Sequence, residues 1–223
     1  MVHFAPTPGA DRAWTRLRWT AEEAKSIAAL FPARSVERLE GLTATRERML
    51  ALPLGEYRYI HVASHGYVDA RMPQLSAVVL GAYDDRGRTA EPSIRAADLL
   101  PLRLHSEVVT FSACDTALVK DVVGEGVVGL SYVALARGSR AVVASLWQVS
   151  DEMTVTIMTE FYRSLRDGPD AAVALGNAMR LALKQAPALD PALWSAYQVA
   201  IGGPLPTSRD HGSRDVSPLK EDR

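Results

Sequence analysis

The segment EVVTFSACDTA, residues 107–117, holds the single cysteine of a 223-residue chain. Its first seven residues are mostly apolar and β-branched, a composition typical of a buried strand. A polar pair, Asp-Thr, comes directly after the cysteine, so the pattern predicts a strand over 107–113 with Cys114 at its carboxyl end. In parallel sheets, ligands bind just beyond the carboxyl ends of the strands. The position of Cys114 is therefore that of a candidate functional residue.

The rest of the chain alternates between strand patterns and helix patterns. Strands are predicted at 33–41, 57–63, 75–81, 107–113, 141–147 and 194–203. Helices are predicted at 20–31, 43–52, 124–138, 151–167 and 170–186. Thr20 and Thr43 are the predicted N-caps of the first two helices, and Glu23 completes a capping box with Thr20. The alternation predicts an α/β fold in which a mostly parallel sheet is flanked by helices on both faces.

Composition limits the classes of function. With 48% hydrophobic residues, the chain can build one sizeable core. A net charge of −1 provides no basic surface for nucleic acid, and one cysteine cannot form an internal disulfide, which fits a reducing compartment. The sequence has neither a signal-peptide pattern at its start nor the roughly 20 apolar residues of a membrane span. We expect a cytoplasmic protein that binds neither nucleic acid nor membranes and carries no cofactor.

The two ends of the chain differ from its middle. Residues 1–14 follow no period and are expected to be irregular. Residues 204–223, PLPTSRDHGSRDVSPLKEDR, are rich in proline, serine and charge, and we expect them to form a disordered tail. One ordered domain, residues 15–203, is predicted between them.

His65 is predicted to lie at the same rim of the sheet as Cys114. It directly follows its own predicted strand, so both side chains emerge together if the two strands are parallel neighbours. An imidazole can deprotonate a thiol or stabilise the thiolate, which makes a cysteine nucleophilic. His61 lies roughly 13 Å away along a strand and is interpreted as a core residue. The backbone N–H groups of Gly66 and Cys114 are candidates for an oxyanion hole.

Cys114 follows His65 by 49 residues, close to the spacing of about 50 between the catalytic histidine and cysteine of caspases. The local sequence SACDT nevertheless differs from the caspase signature. A wider set of segments resembles the CHAT domain, a caspase-like cysteine peptidase family that is often attached to tetratricopeptide repeats. These segments are YIHVASHG, VVTFSACDTAL, GEGVVGLSYVALARGSRAVVASLWQVSDEMT and LWSAYQVAIGG. The resemblance covers about residues 15–203.

The resemblance implies a caspase–hemoglobinase-like fold and a catalytic dyad of His65 and Cys114. It also implies cleavage of protein or peptide substrates, often in bacterial regulatory or defence pathways. A tetratricopeptide-repeat domain or another regulatory protein is the implied partner. The chain departs from the family at Ala117, where a glycine usually follows Ser-Ala-Cys-x-Thr. We expect this alanine to stiffen the loop after the cysteine without removing the dyad.

Two further residues near the predicted rim are candidates for substrate binding, each with a structural alternative. Asp115 either lines a pocket for a basic P1 side chain or caps the loop or helix after Cys114. Trp147 either walls a substrate cleft or packs in the core. The motif GEGVVG matches a dinucleotide fingerprint, but residues 114–123 separate it from the preceding strand, so no nucleotide site is expected. The Cys and His spacings predict no structural metal.

Two functions from different classes remain open. The first is a cysteine endopeptidase that uses His65 and Cys114. The second is a catalytically silent caspase-fold module for interaction or regulation. The loop at 82–98 is either a partner-binding segment or a processing site at one of its arginines. These are Arg86, Arg88 and Arg95.

Overall fold

The β-branched runs of the sequence form one mixed sheet. A computed structural model describes residues 2–3, 17–67, 72, 75–89, 91–113, 128–147, 151–185 and 190–202. The strands are β1 (Val2–His3), β2 (Tyr59–Tyr67), β3 (Ala77–Val79), β4 (Ser93–Arg95), β5 (Val108–Ala113), β6 (Ala141–Ser145) and β7 (Tyr197–Ile201). Their order across the sheet is β4-β3-β2-β5-β6-β7, and β1 pairs with β2.

The centre of the sheet is parallel and its edges are antiparallel. β2 pairs in parallel with β5, and β5 with β6, whereas β3, β4 and β7 each join an antiparallel neighbour. Because two successive antiparallel pairings restore the direction, only β3 and β7 run against the other described strands. The prediction of a mostly parallel sheet is therefore confirmed. Parallel neighbours need a crossover connection, which the helices of this chain provide.

Helices cover both faces of this sheet, as the sequence predicted. They are α1 (Thr20–Ala28), α2 (Arg46–Ala51), α3 (Ala96–Leu99), α4 (Val128–Ala136), α5 (Asp151–Arg166) and α6 (Ala171–Gln185). Successive residues of β5 point to opposite sides, so Val109 and Phe111 pack with α2, α3 and α4. Val108 packs on the other side with α1, α5 and α6. Among the described residues no helix is long and apolar enough to span a membrane.

The strand predicted at 33–41 is wrong. The chain there forms two single turns of 3₁₀ helix, at Ala33–Ser35 and Gly41–Thr43. Gly41 has a φ of +54°, a left-handed conformation that does not fit a strand. Most side chains from 33 to 41 are exposed, so the segment lacks the buried face that would hold it against a sheet.

Both predicted N-caps also differ from the structure. Helix α2 is capped by Thr45, whose hydroxyl accepts a hydrogen bond from the Arg48 N–H at 3.3 Å, because Thr43 is engaged in the preceding turn. Helix α1 starts at Thr20 itself, which donates to the Leu17 carbonyl oxygen at 3.3 Å. Glu23 turns inward instead of capping the helix, since it has a buried imidazole as its partner.

A short strand occurs within the segment expected to be irregular. Val2–His3 pair with Val62 and Ala63 of β2 in parallel. β5 occupies the other edge of β2 at these same residues, so β1 lies on the edge that β3 joins further along. The edge of β2 that faces away from β5 is thus paired with β1 at Val62 and Ala63, and with β3 from His65 to Tyr67.

The hydroxyl of Tyr162 on α5 joins the two central strands. It lies 2.8 Å from the Thr110 hydroxyl of β5 and 3.2 Å from Nδ1 of His61 on β2. Thr110 and His61 are direct partners in the β2–β5 register. Burial raises the pKa of Tyr162, against the opposing effect of the Thr110 hydrogen bond, so the hydroxyl stays neutral at physiological pH. A single side chain therefore links α5 to both strands at one level of the sheet.

We expect Tyr162→Phe to lower the free energy of unfolding by about 1–3 kcal/mol, because two buried polar groups lose their partner. Urea denaturation followed by circular dichroism measures the change. Tyr132→Phe is the matched control, since Tyr132 is 70% exposed and its hydroxyl meets solvent. Equal stability of Tyr162→Phe and the wild type would show that the hydroxyl contributes nothing to holding the strands.

Candidate active site

His65 lies inside β2 rather than beyond its end. The sequence predicted a strand over 57–63, but the strand continues to Tyr67 because β3 pairs with its last three residues. His65 stands opposite Val79 in this antiparallel pairing, and its side chain is 4% exposed. The extension depends on pairing with residues 10 to 14 positions later in the chain, which local composition does not reveal.

The register of β2 and β5 brings the two predicted site segments side by side. Six residues of each strand pair in parallel, from Tyr59 with Val108 to Ser64 with Ala113. Ser64 directly precedes His65 in the sequence, and Ala113 directly precedes Cys114. The expectation that these strands are parallel neighbours is confirmed. Cys114 itself lies outside the described residues.

Strand alternation assigns His65 to the face covered by α1 and α5. Tyr59 and His61 belong to this face, where Tyr59 packs against Phe31 with ring centroids 5.8 Å apart. Side chains two or four residues apart on a strand share a face, so His65 shares the face of His61. Ser112 of β5 lies on the same side, 3.4 Å from the hydroxyl of Tyr197.

The other predicted site residues have separate environments. Gly66 lies in β2 opposite Val78, within the strand and not beyond its end at residue 63 as the sequence predicted. Trp147 lies two residues beyond the end of β6, where its indole N–H donates to the Ala192 carbonyl oxygen at 2.7 Å. It also packs against the core on the α5 side, which favours the packing alternative. Asp115 lies outside the described residues, as do residues 124–127 of the glycine motif.

A buried network of hydrogen-bonded side chains near the site was not predicted from the sequence. Glu23 accepts a hydrogen bond from Nε2 of His61 at 2.8 Å, and Nδ1 of His61 contacts Tyr162. Glu23 is 1% exposed and His61 is 4% exposed, so His61 is a satisfied core residue, as interpreted. The signal for Glu23 was present, because it precedes Ile27 by four residues and so shares its buried helix face.

The folded arrangement agrees with a comparison against known families. A family profile described as "CHAT domain" matches residues 7–203. The chain belongs to the CHAT domain family. Its mixed α/β fold is consistent with the caspase-like architecture of a CHAT domain, and the resemblance drawn from the sequence motifs is confirmed.

This CHAT domain is also similar to part of much longer proteins. It is 33% identical over 104 residues to tetratricopeptide repeat protein 28 of Mus musculus, covering 47% of this chain. It is 31% identical over 106 residues to tetratricopeptide repeat protein 28 of Homo sapiens, covering 48% of this chain. The matched part is 4% of the length of each relative.

The packing role of Trp147 in the CHAT domain is testable. Trp147→Phe keeps an aromatic ring but removes the N–H bonded to Ala192, so we expect the free energy of unfolding to fall by about 0.5–1.5 kcal/mol. The alkylation rate of Cys114 should stay unchanged. Urea denaturation and iodoacetamide labelling measure the two quantities.

Trp194→Phe is the matched control for this prediction. The indole N–H of Trp194 is buried and has no hydrogen-bond partner among the described residues, so its removal should cost less than that of the Trp147 N–H. Slower alkylation in Trp147→Phe with unchanged stability would instead support the cleft role of this residue.

Proposed function

We propose that this CHAT domain is a cysteine endopeptidase that cleaves protein or peptide substrates with a dyad of His65 and Cys114. The observation that carries the proposal is the parallel register that ends at Ser64 and Ala113. Ser64 is followed in the sequence by His65, and Ala113 is followed by Cys114. If both strands keep their alternation for one more residue, the imidazole and the thiol project to the same face of the sheet.

The proposed chemistry is acyl transfer in two stages. The Cys114 thiolate attacks the carbonyl carbon of the scissile peptide bond, and the protonated His65 imidazole donates its proton to the leaving amine nitrogen as the C–N bond breaks. Water then attacks the resulting thioester and gives a proton to His65. The C–S bond breaks, the carboxylic product leaves and the thiolate is regenerated.

The remaining site residues have supporting roles in this proposal. The backbone N–H groups of Gly66 and Cys114 stabilise the oxyanion of the tetrahedral intermediate. Asp115 provides a negative charge for a basic P1 side chain. Trp147 has no substrate contact in this proposal, because its indole N–H is bonded to Ala192 and its ring packs against the core.

A catalytically silent interaction module is the second candidate. The observation that favours it is the burial of His65, whose side chain is 4% exposed and so offers little surface to a substrate. Catalytic hydrogen bonds often reach their final geometry only in the substrate complex, so a buried histidine is also compatible with the peptidase. The two functions differ in whether the Cys114 thiol is activated.

The proposed setting of the domain follows from its relatives. Both matched relatives are named as tetratricopeptide repeat proteins, and the segment they share with this chain is 4% of their length. We infer a tetratricopeptide-repeat region, or another regulatory protein, as the partner that controls the site. The cytoplasmic location expected from the composition and the bacterial regulatory or defence role implied by the family resemblance belong to this proposal as well, independently of these two relatives.

Alkylation of Cys114 tests the proposed dyad directly. Because the chain has one cysteine, a mass shift with iodoacetamide reports on this thiol alone. A plain thiol with a pKa near 8.5 is only about 0.3% thiolate at pH 6. We expect rapid labelling of the wild type at pH 6, and a rate at least about tenfold lower in His65→Ala and His65→Gln.

His105→Ala is the matched control for the histidine variants, since His105 is exposed at the amino-terminal end of the sheet. It should label like the wild type, and circular dichroism checks that each variant is folded. If the wild type and both His65 variants label equally slowly with the pH profile of a plain thiol, the dyad is refuted and the interaction module becomes the better account.

We expect the active enzyme to cleave its own polypeptide after Arg86. Arg86 lies in a turn closed by Asp84, whose carboxylate accepts from the N–H groups of Arg86 and Arg88 at 2.9 Å each. Arg95 belongs to β4, where pairing with Ala77 protects its backbone. We expect mass spectrometry to find a cut after Arg86 that disappears in Arg86→Ala and persists in Arg95→Ala. A cut after Arg95 would contradict this assignment.

A further inference from the structure

His65 lies at the point where β2 passes from one neighbouring strand to another. The pairing of β2 with β5 ends at Ser64, and its pairing with β3 begins at His65. Successive residues of a strand direct their backbone groups to opposite edges. The Arg58 carbonyl oxygen accepts from the Val108 N–H of β5, so every second residue from there to Ser64 faces β5 and His65 faces β3. His65 is therefore held by β3, whereas the residue before it is held by β5.

The side chain of Ser64 crosses this junction. Its hydroxyl donates to the carbonyl oxygen of Val79 in β3, and Val79 stands opposite His65. The N–H of the next residue, Leu80, donates away from β2 to the Pro92 carbonyl oxygen, so the backbone groups of Val79 point to β2. A carbonyl oxygen has two lone pairs and can accept from the His65 N–H and from the Ser64 hydroxyl together. One acceptor on β3 thus holds both residues.

Burial makes this side-chain bond obligatory. Ser64 is 0% exposed, and strand alternation places it on the same face as Val62, which belongs to the apolar core that also contains Leu80. A hydroxyl in such surroundings has no water to bond to, so leaving it without an acceptor would be costly. The main-chain ladder between β2 and β3 has only three residue pairs. The Ser64 hydroxyl therefore adds a bond where the ladder by itself is short.

We propose that Ser64 is a positioning residue for His65. Its backbone belongs to the ladder with β5 and its hydroxyl is bonded to β3, so it ties the register of β3 to that of β5. The imidazole of His65 then keeps a fixed place relative to the end of β5. Ser64 acts through the backbone of His65 and takes no part in the chemistry itself. The inference rests on the proposed function, because the place of His65 matters only if it acts on the Cys114 thiol.

Three variants test this role in the full chain. Ser64→Ala removes the hydroxyl but leaves the Val79 carbonyl oxygen with the His65 N–H as its donor, so the variant should fold. Ser64→Thr keeps a hydroxyl at the same position. Ser106→Ala is the matched control, since Ser106 is also 0% exposed but its hydroxyl has no hydrogen-bond partner among the described residues. Ser106 precedes β5, at the end of the sheet away from His65.

Amide hydrogen exchange, followed by NMR, measures the junction whatever the activity of the protein. We expect the His65 amide to exchange about two- to tenfold faster in Ser64→Ala, because one hydrogen bond that holds the end of β2 to β3 is lost. The Val62 amide, which faces β5, should exchange as in the wild type. Ser64→Thr and Ser106→Ala should leave both amides unchanged, and circular dichroism checks that each variant is folded. Equal exchange of the His65 amide in Ser64→Ala and the wild type would overturn the proposal.

The pH profile of Cys114 alkylation separates positioning from a merely structural role. We expect Ser64→Ala to lower the iodoacetamide rate at pH 6 by about three- to tenfold, less than His65→Ala does, because a displaced imidazole stabilises the thiolate less well. At pH 9 a plain thiol with a pKa near 8.5 is mostly thiolate, so all variants should label alike. Ser64→Thr should restore the wild-type profile, and Ser106→Ala should never depart from it.

Failure of this inference differs from failure of the proposed function. If His65→Ala slows alkylation at pH 6 and Ser64→Ala keeps the wild-type profile, the positioning role is refuted and the dyad stands. The role is also refuted if Ser64→Thr restores the exchange of the His65 amide without restoring the alkylation profile. If His65→Ala labels like the wild type, the dyad is refuted and the positioning role falls with it.

Discussion

The hydrogen-bond ladder between β2 and β5 sets the relation between His65 and the end of β5. Six consecutive pairs fix it, from Tyr59 with Val108 to Ser64 with Ala113. A slip of one residue would turn every side chain of a strand to the opposite face. Both faces of this sheet are covered by apolar cores, so such a slip would bury the wrong set of side chains throughout. The packing of the two cores thus specifies the geometry of the candidate site.

The polar chain from Glu23 through His61 and Tyr162 to Thr110 adds a second constraint on that ladder. Each of these groups would be costly to bury alone, and together they satisfy one another. A buried ionisable pair seldom contributes much net stability, because desolvation offsets its attraction. The geometry it imposes is more specific, since only one register brings His61 and Thr110 to the same hydroxyl. This hydrogen-bond network therefore connects α1, β2, β5 and α5 at one level of the sheet.

β2 separates two regions of different chemistry. Towards its carboxyl end lie His65 and the position that precedes Cys114, where the proposed nucleophilic chemistry takes place. At its amino end lies a cavity of about 220 Å³, whose lining includes Phe31, Tyr59 and His61. The cavity and the candidate catalytic site occupy opposite rims of the sheet, each formed by loops and helix ends. The rigid strand between them keeps their separation fixed.

The sequence by itself determined the family through its motifs. It also determined the alternation of strands and helices and the central residues of β2, β5, β6, α5 and α6, because these follow from local composition and period. It also indicated His65 through its spacing from Cys114. Only the tertiary structure decided that β2 continues to Tyr67 and that Glu23 is buried. Pairing with β3 joins residues distant in the chain and leaves no local signal in β2. The spacing of Glu23 from Ile27 placed it on the buried face of its helix, but only the fold supplied His61 as the partner that satisfies it there.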